Sequence, residues 1–182
     1  MKLGVRQVTI AGVFAAMTFV ATVFTRIPIM LGYFNLGDTV VLVAAALFGG
    51  FTGAFAGAVG SAAADIVSGY YIFAPITFLI KGMEGYAAGK LSGGGLVNGG
   101  PPKNGKRRLT LALIAGAIIM VLGYFLAEAT ALSLFDGAFG FTTAVAELPF
   151  NVTQGGVSII LARLAIEGII RSGVVKRLRH FD

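Results

Sequence analysis

The chain has 182 residues, of which 57% are hydrophobic and 12% charged, and a net charge of +6. Its mean hydropathy of +0.89 is that of an integral membrane protein rather than a soluble domain. The absence of cysteine excludes disulfides and thiolate metal sites. The basic residues gather at the ends of apolar runs, which argues against a nucleic-acid partner.

Six apolar segments are predicted to cross the membrane as helices, so the expected fold is an all-α polytopic membrane protein. The first runs from about Gly4 to Phe24. Lys2 and Arg6 ahead of it resemble a signal peptide, but no small-x-small cleavage site precedes Arg26, so it reads as a retained helix. The second, from about Leu36 to Phe48, is short of the ~20 residues of a perpendicular span. The third covers roughly Thr52–Val67, the fourth Ala74–Leu91, the fifth Leu109–Phe135 and the sixth Thr142–Ile170. Between the fourth and fifth, a Gly/Pro-rich linker at about 92–108 cannot stay helical. The length suits one six-helix membrane domain over residues 1–182 and no appended soluble one.

Charge sets the expected orientation. With the N-terminus inside, the cytoplasmic segments hold Lys2, Arg6, Lys90, Lys103, Lys106, Arg107, Arg108, Arg171, Lys176, Arg177 and Arg179. Arg26 alone falls on an outer loop, while Lys81 and Arg163 lie within spans. An excess of Lys and Arg in short loops marks the cytoplasmic face. Both termini are therefore expected inside, which requires an even number of spans. His180, the single histidine, reads as part of a solvated basic tail.

Polar residues inside these spans are the main functional signal. A charge near the bilayer centre costs at least about 3 kcal/mol, so such residues face a protein interior or a wet cavity. Lys81 and Glu84, three apart on the fourth span, either pair with each other or meet a polar ligand. Glu128 lies four residues after Tyr124 on one helical face, suited to a ligand or to another helix. Glu147, Asn151 and Gln154 share a face of the sixth span, and Pro149 frees backbone groups beside them. Asn35 is a ligand candidate, whereas Asp38 reads mainly as the cap of the second helix. Arg163 and Glu167 read as a structural pair. Tyr33, Phe34, Tyr70, Tyr71 and Phe73 form either an interfacial aromatic belt or a lid over a planar ring.

Small residues recur at intervals of four: Ala11 with Ala15, Gly12 with Ala16, and Gly53 with Gly57 and Ser61. This spacing lets helix backbones approach closely in lipid. The third-span series reads as internal packing; the first-span stripe suits internal packing or another protein.

Catalytic motifs fail. Gly100–Lys106 matches seven positions of a phosphate-binding loop, but Arg107 stands where Ser or Thr would hold magnesium, and two prolines remove N–H donors. No span carries a histidine, and no metal-ligand spacing occurs. Neither an enzymatic activity nor a cofactor is expected, and the chain shows no motor of its own.

Four fragments, in order, carry a resemblance: Phe34-Asn35-Leu36-Gly37-Asp38; Asp65 through Pro75; Thr77-Phe-Leu-Ile-Lys81-Gly-Met-Glu84-Gly85; and Glu147-Leu-Pro-Phe-Asn151-Val-Thr-Gln154-Gly155. Together they resemble the substrate-binding S components of energy-coupling factor (ECF) vitamin transporters, in the hydroxymethylpyrimidine/vitamin B6 or riboflavin branches. The resemblance implies six membrane helices and a vitamin site at the outward end, in a prokaryotic plasma membrane. It also implies as partners a transmembrane coupling protein (T component) and two cytosolic ATPases. Docking to the coupling protein would fall on Ala11, Gly12, Ala15 and Ala16. In the riboflavin branch the position of Gln154 is usually basic, in an N-x-x-K arrangement, and this departure favours a smaller heterocycle. Riboflavin is the alternative ligand. An autonomous permease, a small intramembrane enzyme and an assembly subunit are the alternative classes.

Overall fold

An uninterrupted apolar run carries helix α1 over Val5–Phe24. The structure, a computed structural model, describes residues 4–97 and 105–179. A hairpin follows α1, in which β1 (Ile27–Pro28) pairs antiparallel with β2 (Tyr33–Phe34). Helix α2 spans Gly37–Phe48, α3 Gly50–Val67, α4 Ala74–Leu91, α5 Gly105–Leu134 and α6 Phe141–Arg171; a short α7 covers Val174–Arg179. Helices α1, α3, α5 and α6 are long and apolar enough to cross a membrane. The described helices therefore follow the predicted segments closely. Lys2, Lys103 and His180, and residues 100–104 of the failed phosphate loop, lie outside the described residues.

Helix α2 explains its own shortness. Twelve residues rise about 18 Å, less than the ~30 Å hydrocarbon core, but the helix is buried along nearly its whole length. It sits against α1, α3, α4 and α6, so its ends meet protein. At one end Leu96 N and Val97 N donate to the carbonyl oxygens of Ala46 and Leu47, each at 2.8 Å, satisfying groups that a helix end leaves orphaned.

One expectation is corrected here. The linker of about 92–108 ends earlier, because α5 already begins at Gly105 and takes in Lys106–Arg108. Leu96 and Val97, at its other end, are core residues beside Leu42 and Ile166. The loop after α1 adds a small two-stranded hairpin to this helical fold.

Small residues bring the helices close, as the third-span series predicts. A Cβ added at Gly53 would lie 2.6 Å from the Gly85 carbonyl oxygen, so α3 and α4 cross almost backbone to backbone. Both α3 and α5 contain a π-helical stretch, at Ala56–Ser61 and Ala127–Ala131. Such stretches rotate the side chains that follow them and recur at functional sites. Here they carry Ser61 and Glu128, two residues of the cavity described next.

The two ends of the bundle differ in chemistry. At one end the hairpin, the α3–α4 turn and the α5–α6 turn meet through Tyr33–Tyr70 and Phe73–Phe139 ring contacts. At the other, Arg6 donates to the Leu178 carbonyl oxygen and Arg108 to that of Leu91, among the basic residues of α4, α5 and α7.

Candidate substrate-binding site

A polar cavity lies under the hairpin, lined from α1, the hairpin, α3, α4, α5 and α6. Its free volume is about 40 Å³, room for one or two waters. The hairpin turn closes it. Leu31 N and Gly32 N donate to Glu147 Oε1 at 2.6 and 3.1 Å. Asn35 donates from its backbone N–H (2.8 Å) and its side-chain amide (3.3 Å) to Gln154 Oε1.

An ionic cluster forms the floor. The Lys81 ammonium donates to Asp38 Oδ1, Gln154 Nε2 donates to Asp38 Oδ2 at 2.8 Å, and Glu84 Oε2 stands 3.6 Å from Lys81. Lys81 also lies 5.4 Å from the centre of the Tyr124 ring, a cation–π contact. Buried charges persist when paired and hydrogen-bonded in this way. Asp38 is therefore not the helix cap that its position suggested: the residue capping α2 is Leu36 and no side-chain cap bond forms. Lys81 and Glu84 do face each other, but the closer partner of Lys81 is Asp38.

The walls carry acids and hydroxyls. Glu128 and Glu147 are both buried in this wall. Tyr124 Oη and Thr77 Oγ1 are hydrogen-bonded at 2.9 Å, and the half-buried Asn151 completes the α6 face. Tyr33 Oη donates to Asp65 Oδ1. Burial, reinforced by the Asp65 charge, holds the Tyr33 phenol far above the usual tyrosine range.

The sequence profile of the family described as "ECF-type riboflavin transporter, S component" matches residues 2–171. The chain belongs to this family. A protein of Pyrococcus woesei, described as an uncharacterized protein in the gap 3′ region, is 39% identical over 144 residues, covering 78% of this chain and 86% of that protein. A solved S component of a bacterial ECF transporter shares the fold, with a TM-score of 0.65 over 91% of this chain and 96% of that one, at 20% identity. S components are substrate-binding transport subunits of membrane transporters, so this chain is a transport protein and not an enzyme.

Of the eight candidate ligand residues, Asn35, Lys81, Tyr124, Glu128, Glu147, Asn151 and Gln154 all line the cavity of this S component. Glu84 does not; it lies behind Lys81, fully buried. Among the aromatic candidates Tyr33 and Phe73 line the cavity, Tyr70 packs on Tyr33 with ring centres 4.8 Å apart, and Tyr71 is exposed. Arg163 and Glu167 form the expected pair at 2.8 Å.

The α1 stripe divides. Ala11 and Ala15 are buried, and α1 lies so close to the π-helical part of α3 that a Cβ on Gly60 would meet the Ala15 carbonyl oxygen. Gly12 and Ala16 lie on the adjacent, exposed face. The sequence reading missed Asp65, Thr22, Ser61 and Thr77 as cavity residues. A signal for Asp65 was present, since it is an acid interrupting an apolar run like Glu128.

Proposed function

We propose that this S component binds hydroxymethylpyrimidine or a B6-type vitamer for ATP-driven uptake through a T component and two cytosolic ATPases. In this reading the whole chain is one multi-pass domain of the prokaryotic plasma membrane. Helices α1 to α6, with the short α2 enclosed by its neighbours, make up the membrane bundle, both termini are cytoplasmic, and the cavity faces outward. The basic end of the bundle, opposite the cavity, supports that orientation.

The carrying observation is the cavity itself, in which Glu128, Glu147, Asn151 and Gln154 converge under the hairpin. Acids and amides suit a small heterocycle with amino and hydroxymethyl groups, because carboxylates accept strongly from ring-bound amines. Leu31 N and Gly32 N already donate to Glu147, so a ligand that reaches this carboxylate competes with the hairpin turn for it. Riboflavin, which the family description names, is the competing ligand. Gln154, an uncharged side chain hydrogen-bonded to Asp38, stands against it.

Mass spectrometry of the small molecule that co-purifies, followed by titration calorimetry, tests the choice. A pyrimidine or pyridine supports it, and yellow flavin-loaded protein overturns the ligand but not the transporter. Co-isolation of a coupling membrane protein with ATPases supports the assembly. Robust uptake into vesicles by this chain alone would make it an autonomous permease.

A further inference from the structure

The buried charges do not balance. Among the described residues, Asp38, Asp65, Glu84, Glu128 and Glu147 are buried against a single buried base, Lys81. That base faces Asp38 and Glu84, neither of which lines the cavity. Asp65, Glu128 and Glu147 do line it, and among the described residues none of the three is in an ion pair. The nearby base at the rim, Arg26, points to the Ser68 carbonyl oxygen at 3.5 Å.

Two carboxylate oxygens of cavity-lining residues are left without a partner. Asp65 Oδ2 and Glu128 Oε2 are shielded from solvent and accept no hydrogen bond, although their residues are only 3% and 1% exposed. Tyr33 occupies the other oxygen of Asp65, fixing the free one. Uncompensated carboxylates in a low-dielectric interior are costly. Among the described residues the buried acids outnumber Lys81, the one buried base. The rings of Tyr33, Phe73 and Tyr124 line the same space, and aromatic faces attract cations. Among the described residues no three ligating side chains converge as a metal cage.

We propose that the cavity takes its substrate as a cation, an aromatic heterocycle carrying a protonated amine or a charged ring nitrogen, received by Asp65 with Glu128 and Glu147. Asp65 is thereby a specificity-determining residue, oriented by Tyr33. The inference rests on reading the cavity as the S-component substrate site.

The test is titration calorimetry on the full chain in detergent with pyridoxamine, pyridoxine, thiamine and riboflavin. Pyridoxamine and pyridoxine differ in one substituent, an ammonium against a hydroxyl, and thiamine carries a permanent charge. Pyridoxamine or thiamine should bind at least about tenfold more tightly than pyridoxine and riboflavin, the scale of one charge-assisted bond. Asp65→Asn should remove that preference, and Asp65→Glu should retain it. Equal or tighter binding of pyridoxine or riboflavin overturns the cation while leaving the S-component reading intact. Binding of none of the four overturns the cation, while the family membership rests on the sequence match. If Asp65→Asn does not elute as a single folded species, the wild-type comparison of pyridoxamine with pyridoxine decides alone.

Discussion

Asp38 and Lys81, on adjacent helices α2 and α4, form the buried ion pair on which the cavity floor rests, and Gln154 from α6 locks it by donating to the free Asp38 oxygen at 2.8 Å. Three helices are thus tied together through one carboxylate. A buried pair of this kind contributes little over apolar replacements, but removing one partner strands the other. Lys81→Met should therefore lower stability by about 3–5 kcal/mol, read as thermal unfolding in detergent. The double variant Asp38→Asn/Lys81→Met should recover part of that loss. A single variant as stable as the wild type would show that the pair is not formed.

Glu128 and Glu147 answer to a different measurement. Both lie in the cavity wall, and Glu147 also holds the hairpin turn through Leu31 and Gly32. Glu128→Gln and Glu147→Gln should each weaken binding of the co-purifying ligand by roughly 1–3 kcal/mol, the scale of a lost charge-assisted hydrogen bond. Calorimetry gives both values directly. Unchanged affinity in both variants would place the ligand elsewhere.

The helices were legible because lipid imposes one rule on them: long apolar runs between turn residues leave little choice of fold. The cavity was half legible for a related reason. Acids in apolar runs have to face inward, so Glu128 and Glu147 announced themselves. The partners of those acids were not readable, because pairing across helices depends on rotation about each axis. Asp38 illustrates this. Its place at a helix start suggested a cap, whereas the close α3–α4 crossing at Gly53 and Gly85 brings α4 and its Lys81 against it. The α1 stripe divides for the same reason, since residues one position apart, such as Ala11 and Gly12, lie about 100° apart around a helix of 3.6 residues per turn.

That division of α1 makes separable predictions. Ala15 is buried where α1 meets α3, so Ala15→Leu overpacks the bundle and should cost about 1–3 kcal/mol of stability. Gly12 and Ala16 face outward. A leucine at either position should leave stability and ligand affinity unchanged while reducing co-purification of the coupling protein, because a bulky side chain holds two helix backbones apart. Pull-down with a tagged coupling protein reads the second effect and thermal unfolding the first. Loss of assembly in the Ala15 variant alone, with full stability, would return the docking face to the buried pair.

Tyr33 lies in the hairpin, outside the helices, and its phenol is held neutral by burial and by the charge of Asp65. In the unfolded chain it ionises near the ordinary tyrosine value of 10.0. Above that pH the unfolded state has lost a proton that the folded state keeps, so rising pH favours unfolding. The stability that Tyr33 contributes by remaining neutral is fully present below about pH 10 and declines as the pH climbs past it. Unfolding scans between pH 8 and about pH 11 should therefore show a steeper alkaline loss for the wild type than for Tyr33→Phe. Absorbance titration at the phenolate band adds an independent reading: folded Tyr33→Phe and folded wild type should release the same number of tyrosine protons over that range. One fewer proton from the variant would show that Tyr33 ionises freely and that its bond to Asp65 does not persist in solution.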